Sequence, residues 1–286
     1  MKTRISLLAS FLLVGFLFSC ENLVPEMLST DITTIVDDEI LSLKSDDVGD
    51  EDFQASMFEG NTHESGSRMT HHRFSSDCAT VTESGDDYPK TIVIDYGEGC
   101  ENRKGDVVSG RILVSITKEM HEAGAEFVMT YEDFSIGDAK VDMVKTKTNL
   151  GNEDGNWVLQ SSQEKTITYE DGSTSTRNST ESTEWIAGFD TEEKEDNMFY
   201  RSGSGLVITS EGDEYSREIT TALFFDGSCD YIKSGVIELN KAGEVTVIDF
   251  GDGECDEWAT VTKDGESEQV DLSKKGRKGK RRGFKK

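Results

Sequence analysis

From Cys78 to Leu272 the hydrophobic pattern repeats every two residues, and that property constrains the fold more than any other. The segments TIVIDY, RILVSIT, EFVMTY, VDMVKT, WVLQS, KTITY, GLVITS, REITTALFF, GVIELN, EVTVIDF, WATVT and EQVDL are short and rich in Val, Ile, Thr and aromatics, and many alternate apolar with polar residues. Successive side chains of a strand point to opposite faces, so this alternation describes a sheet with one covered face and one wet face. Acidic and glycine-containing tips separate many of the segments, at EDGS (170–173), EGDE (211–214), NKAGE (240–244) and KDGE (263–266). Glycine takes the positive φ of tight hairpin turns, so consecutive strands are expected to pair with one another. The expectation is an all-β fold, a large curved antiparallel meander of about a dozen strands. Strands do not alternate with helices, which argues against a doubly wound nucleotide-binding fold.

The N-terminus gives the address. Lys2 and Arg4 precede an apolar run from Ile5 to Phe18, 14 residues long. A transmembrane helix needs about 20 residues, so this run fits a secretory signal instead. Residues 1–19 read as a lipoprotein signal peptide, and LFSC (residues 17–20) has the form of a lipobox in which Cys20 becomes the lipidated first residue. Thioether and amide-linked chains together give firm anchorage, since stable attachment takes at least two lipid signals.

Residues 20–76 are acidic, with Asp46-Asp47 and Asp50-Glu51-Asp52, and read as a flexible tether. STDITTIVDDEILSLKSD within it is a candidate short helix, with Ser29 or Thr30 as cap and Ile32, Ile35, Val36, Ile40 and Leu43 near one face. The β domain is expected over 77–272, followed by a basic disordered tail over 273–286, where nine of the last 13 residues are Lys or Arg. Residues 21–273 carry 19 basic against 57 acidic residues, a net charge of −38. A body so charged repels phosphate backbones, so nucleic acid is not an expected partner. The tail has the opposite sign and suits anionic lipid or an anionic envelope polymer.

Besides Cys20 there are four cysteines, and an even number in an exported chain favours disulfides. If NKAG is a four-residue tip, Leu239 opposes Glu244, and counting outward places Cys229 one residue from Cys255. Cys78–Cys100 follows by elimination, although hairpin counting brings Cys78 nearer Asp95.

IVIDYGEGC (92–100) echoes TVIDFGDGEC (246–255), CATVT (78–82) echoes WATVT (258–262), and SGRI (109–112) echoes SGVI (234–237). The echoes come in a different order in the two halves, which is not a tandem duplication. Asp249, Asp252, Glu254 and Asp256 offer oxygens of the kind calcium takes, but their spacing is not that of an EF-hand. The plainer reading is a strand end and a glycine bulge before a cysteine, with calcium as the alternative and no other cofactor expected.

Catalytic groups are sparse. Of four histidines, His63, His71 and His72 fall in the acidic segment and His121 in a connection, so no enzymatic activity is expected. Trp157, Trp185 and Trp258, with Phe189, Phe199 and Tyr200, are the candidate ligand-binding residues, because flat rings give broad contact on a sheet.

LFSC, the acidic segment, CATVT, IVIDYGEGC, EWIAGF and VIDFGDGEC followed by ATVT together resemble lipid-anchored β-rich lipoproteins of the Bacteroidota envelope. The resemblance covers most of residues 78–272 and implies an outer-membrane location but no activity. An acidic cluster after the lipidated cysteine marks surface export in that group. Only Glu21 and Glu26 stand there in this chain, which leaves the facing side open. The expected function is non-enzymatic binding or scaffolding; the alternatives are a carrier of lipid or another apolar ligand on the curved sheet, and a glycan-binding protein or hydrolase.

Overall fold

The computed structural model describes residues 30–59, 78–85, 87–191 and 193–273. The signal segment 1–19, Cys20, His63, His71, His72 and the basic tail from residue 274 onward lie outside the described residues.

The expected meander is present. Fourteen strands form one antiparallel sheet: β1 (Thr80–Ser84), β2 (Lys90–Asp95), β3 (Cys100–Glu101), β4 (Val107–Ile116), β5 (Glu126–Ile136), β6 (Ala139–Glu153), β7 (Asn156–Thr168), β8 (Thr174–Ala187), β9 (Met198–Thr209), β10 (Glu214–Asp226), β11 (Ser234–Lys241), β12 (Glu244–Asp252), β13 (Trp258–Lys263) and β14 (Glu266–Asp271). Each strand pairs with its successor, except that β3 continues the lane of β2 along β4. The path ends at β1 and β14 without closing into a barrel.

Local chemistry explains the tight connections. Lys263 pairs with Glu266 and Lys241 with Glu244, leaving two-residue tips Asp264-Gly265 and Ala242-Gly243 with all four φ angles positive, between 52° and 98°. Such turns twist in the sense of the flanking strands, which is why they join hairpins. The tip at NKAG is therefore two residues rather than four, and the register on β11–β12 differs from the one counted from the sequence. A bulge between Ser234 and Val236 then shifts it by one residue, and both expected disulfides are present.

The three sequence echoes acquire a spatial meaning. Thr80 and Arg111 flank Asp95 as Thr260 and Val236 flank Asp249, and Val81 and Ile112 flank Ile94 as Val261 and Ile237 flank Ile248. Thus β1–β2–β4 and β13–β12–β11 are the same three-strand unit, placed toward opposite ends of the sheet. Nine lateral steps separate β2 from β12, an odd number, so the two strands run in opposite directions. A half-turn about an axis normal to the sheet exchanges both position and direction. It also reverses the chain order within the unit, and this accounts for the shuffled order of the echoes.

The acidic segment departs from the reading of a flexible tether with a short helix. Thr30–Glu59 is a helix of 30 residues, α1, and between residues 32 and 56 only Thr33 is exposed. A helix with almost no wet face must be surrounded. Within two turns, Asp47 meets Lys104 after β3, the Ser45 carbonyl accepts a 3.0 Å hydrogen bond from Tyr131 on β5, and Asp50 meets Lys147 on β6 and Arg201 on β9. Strands β4 to β9 would span roughly 24 Å if flat, twice the width of a helix. The sheet therefore curls around α1.

Three sides of the helix meet three walls. Leu41, Val48 and Phe53 pack with Ile94, Ile112, Phe127 and Phe134 in one apolar core. Ile35 and Val36, with Ile40 and Leu43, pack with Leu223, Ile237, Ile248 and Val261 in a second. Between these cores, Asp38, Glu39, Asp46 and Asp50 point at the central strands. Gly49 sits so close to Tyr131 that a β-carbon there would overlap its hydroxyl, so a residue that weakens helices is retained for close approach.

Candidate functional site

The central strands alternate as sheets do, but their inward side chains are polar. On β6 these are Lys145 and Lys147, on β7 Gln163 and Lys165, on β8 Arg177 and Glu181, on β9 Arg201, and on β10 Arg217, all buried. Lys165 and Arg177 stand directly opposite each other, an arrangement that would repel if nothing lay over it. The carboxylates of α1 lie over it. Lys165 Nζ is 2.8 Å from Asp46, Arg177 binds Asp38 and Glu39, and Arg217 Nε is 2.7 Å from Glu39. Asp50 receives Lys147 at 2.7 Å, Lys145 at 3.0 Å and Arg201 at 3.1 Å.

Burial would raise the Glu39 carboxyl, but the Arg217 and Arg177 guanidiniums override it and hold it at about 2. Asp46 is likewise held at about 2, burial being overcome by Lys165 and Lys145. For Lys147 the balance reverses. Burial pulls its ammonium down to about 8 despite the neighbouring Asp50, with Lys145 and Arg201 adding repulsion.

Next to this network, at one end of the curled sheet, an aromatic row crosses four strands. Trp157 pairs with Trp185, Trp185 with Phe199, and Phe199 with Phe225, each pair directly opposite across neighbouring strands. Ring centroids are 4.6 Å apart for Trp185–Phe199 and 4.7 Å for Phe199–Phe225, while Phe189 lies 5.1 Å from Trp157 and 5.5 Å from Trp185. Trp185, Phe199 and Phe225 line a cavity of about 150 Å³ between the sheet and α1. Asp50, Lys147 and Arg201 form one polar corner, Lys44, Asp47, Glu51, Lys104, Lys194, Asp226 and Asp230 also line the cavity, and the Arg201 guanidinium carbon lies 4.8 Å from the centre of the Phe225 ring. Cys229 borders the same cavity, so its bond to Cys255 pins the loop between β10 and β11 at the rim.

The sequence-based candidates divide accordingly. Trp157 and Trp185 join one aromatic row with Phe189 and Phe199, but Trp258 lies elsewhere, exposed on β13. Tyr200 faces the opposite side of the sheet, 5.0 Å from Phe224. Its neighbour Phe199 lines the cavity, and consecutive residues of a strand point to opposite faces. Asp249, Asp252, Glu254 and Asp256 are exposed, and among the described residues no three acidic, histidine or cysteine side chains gather as metal ligands. Asp249 instead accepts a 2.9 Å bond from the Gly251 amide, as Asp95 does from Gly97 at 2.8 Å, and Asp256 accepts one from the Trp258 amide. Local turn formation accounts for Asp249, Asp95 and Asp256.

Sequence reasoning passed over Asp50, Lys147 and Arg201. One signal was present: in a strongly acidic chain, Lys145, Lys147, Lys165, Arg177, Arg201 and Arg217 all occupy the inward phase of their strands. No family model matches the chain, and no curated protein and no solved structure shows significant similarity to it.

Proposed function

We propose that this chain is an envelope lipoprotein, anchored to the outer membrane through lipid on Cys20, and that its activity is non-enzymatic binding of a small, largely apolar ligand between the sheet and α1. One observation carries the binding reading: Trp185, Phe199 and Phe225 stand in register on three adjacent strands and face a cavity of about 150 Å³. Engineered apolar cavities of roughly that volume take up benzene-sized molecules. Aromatic rings held by sheet pairing on one side and a packed helix on the other are pre-organised, which lowers the entropy cost of binding. The test is native mass spectrometry of the purified mature protein, combined with tryptophan emission during ligand titration. A bound small molecule that is lost in Trp185→Ala is the expected result. Protein that carries nothing and responds to no apolar probe would overturn the reading.

The anchor is tested separately. Cys20→Ala is expected to release the protein from the membrane fraction and alter its mature mass; membrane-bound protein of unchanged mass would refute it. The basic tail is proposed to add attraction to anionic lipid or polymer. Truncation after Leu272 should then reduce association with anionic vesicles at low salt. Equal binding by full-length and truncated protein would remove that role.

A further inference from the structure

The cavity's polar corner has a charge imbalance that bears on what it holds. The buried network contains six cations, Lys145, Lys147, Lys165, Arg177, Arg201 and Arg217, against five carboxylates, Asp38, Glu39, Asp46, Asp50 and Glu181. Asp50 is shared by Lys145, Lys147 and Arg201; Lys145 also lies 3.8 Å from Asp46 and Arg201 3.9 Å from Glu181, while Lys147, which lines the cavity, pairs with Asp50. The other basic residues lining the cavity have their own partners: Lys44 lies 3.6 Å from Asp106, Lys104 meets Asp47, and Lys194 meets Glu51 at 2.9 Å. Asp230, half exposed, lies 3.8 Å from Lys194. Lys147 and Arg201 therefore present donors beside the aromatic wall of the cavity, whose remaining lining mixes aliphatic side chains such as Leu43 and Leu159 with the charged Lys44, Asp47, Glu51 and Asp226.

We propose that the ligand is a small monoanion with a single ring or a short acyl chain, its carboxylate set against Lys147 and Arg201 and its apolar part against Trp185, Phe199 and Phe225. The proposal rests on the binding reading above and adds the chemical class. A carboxylate entering the corner makes charge-assisted hydrogen bonds with Lys147 and Arg201, which now share Asp50, and excluded water strengthens them. The cavity volume limits the apolar part to about one six-membered ring. The depressed Lys147 ammonium agrees with this geometry, since a second anion nearby would restore its affinity for the proton.

The experiment titrates purified protein with three probes of one shape: benzoate, toluene and benzylamine. Benzoate is expected to bind at least about tenfold more tightly than either of the others. Its affinity should fall by a similar factor in Lys147→Met and decline above about pH 8 in the wild type, where Lys147 loses its proton, while toluene changes little. Toluene binding as tightly as benzoate overturns the anion assignment and leaves the binding site standing. Binding of none of the three overturns both readings. Preference for benzylamine identifies the acids as the recognising groups and also overturns the proposal. The wild-type ranking decides the matter even if Lys147→Met fails to fold.

Discussion

The outer strands of the sheet and its central strands share one backbone pattern and pack on one helix, yet they line it with different chemistry. Toward the ends, Ile94, Ile112, Ile237 and Ile248 are fully buried against other apolar side chains. In the middle, Lys145, Lys165 and Arg177 are just as deeply placed and meet carboxylates. Apolar contact is non-directional, so the end walls hold α1 without fixing its position along its axis. The ionic wall requires particular partners. Glu39, Asp46 and Asp50 recur at intervals of seven and four, which places them on one face of the helix, and a shift of one turn would leave buried charges facing the wrong groups. The ends supply most of the hydrophobic driving force, and the middle specifies register.

The comparison can be broken most directly at Glu39. Glu39→Ala leaves Arg177 and Arg217 short of a carboxylate in a dry setting, and a loss of about 3–5 kcal/mol is expected in urea denaturation. A loss below about 1 kcal/mol would mean that the middle wall contributes no more than a surface charge pair does. At the ends, Ile94→Ala and Ile248→Ala should each cost about 2–5 kcal/mol, from lost transfer energy and the cavity left behind. Because the two isoleucines occupy matching places in the repeated unit, their costs should agree closely; widely unequal costs would show that the units are alike in register only. Cutting Cys229–Cys255 by a double Cys→Ser substitution should cost about 3 kcal/mol, through the unfolded chain's regained freedom, and should weaken ligand binding because the cavity rim loosens.

Acid separates the two walls without any mutation. Glu39 is held at about 2, below its ordinary value of 4.5, so its contribution is complete above about pH 4.5 and disappears as pH falls toward 2. Asp46 adds to the same window, from 3.8 down to about 2. Urea midpoints should therefore drop between pH 4.5 and 2, and the slope should be shallower in Glu39→Gln than in Ile94→Ala. Equal slopes would place the acid sensitivity elsewhere. The smallest effect is expected on the outer face, where Arg111 lies 3.1 Å from Glu132 with both largely solvated. Arg111→Ala should change stability by less than about 1 kcal/mol.

The same contrast explains what was legible in the sequence. The end strands alternate Ile, Val and Phe with polar residues, so their existence, their hairpins and the disulfides were readable. Strand β8, TSTRNSTESTEWIA, lies at the centre of the sheet and carries almost no hydrophobic alternation. Its inward positions hold Ser175, Arg177 and Glu181, whose burial makes sense only once the carboxylates of α1 are in place. WVLQS and KTITY likewise read as two strands because the inward Ser161 and Gln163 interrupt the apolar phase of the continuous strand β7. The helix was underestimated for the reciprocal reason: its acids look like those of a solvated linker until six inward cations are counted against them. Complementary charge between segments that are distant in sequence leaves no local period. The aromatic row was half visible, since Trp157, Trp185, Phe189 and Phe199 could be nominated, but cross-strand register decides which rings share a face.

Thr30, where α1 begins, follows Cys20 by ten residues, a length of chain that reaches at most about 35 Å. If lipid holds Cys20, any pull between membrane and body enters the molecule through its central helix and not through an edge strand. An edge strand peels one hydrogen-bonded pair at a time, at low force. A helix seated among two apolar walls and a set of ion pairs has to shear many contacts together, so the fold is attached to its anchor at the place where it is hardest to pull apart.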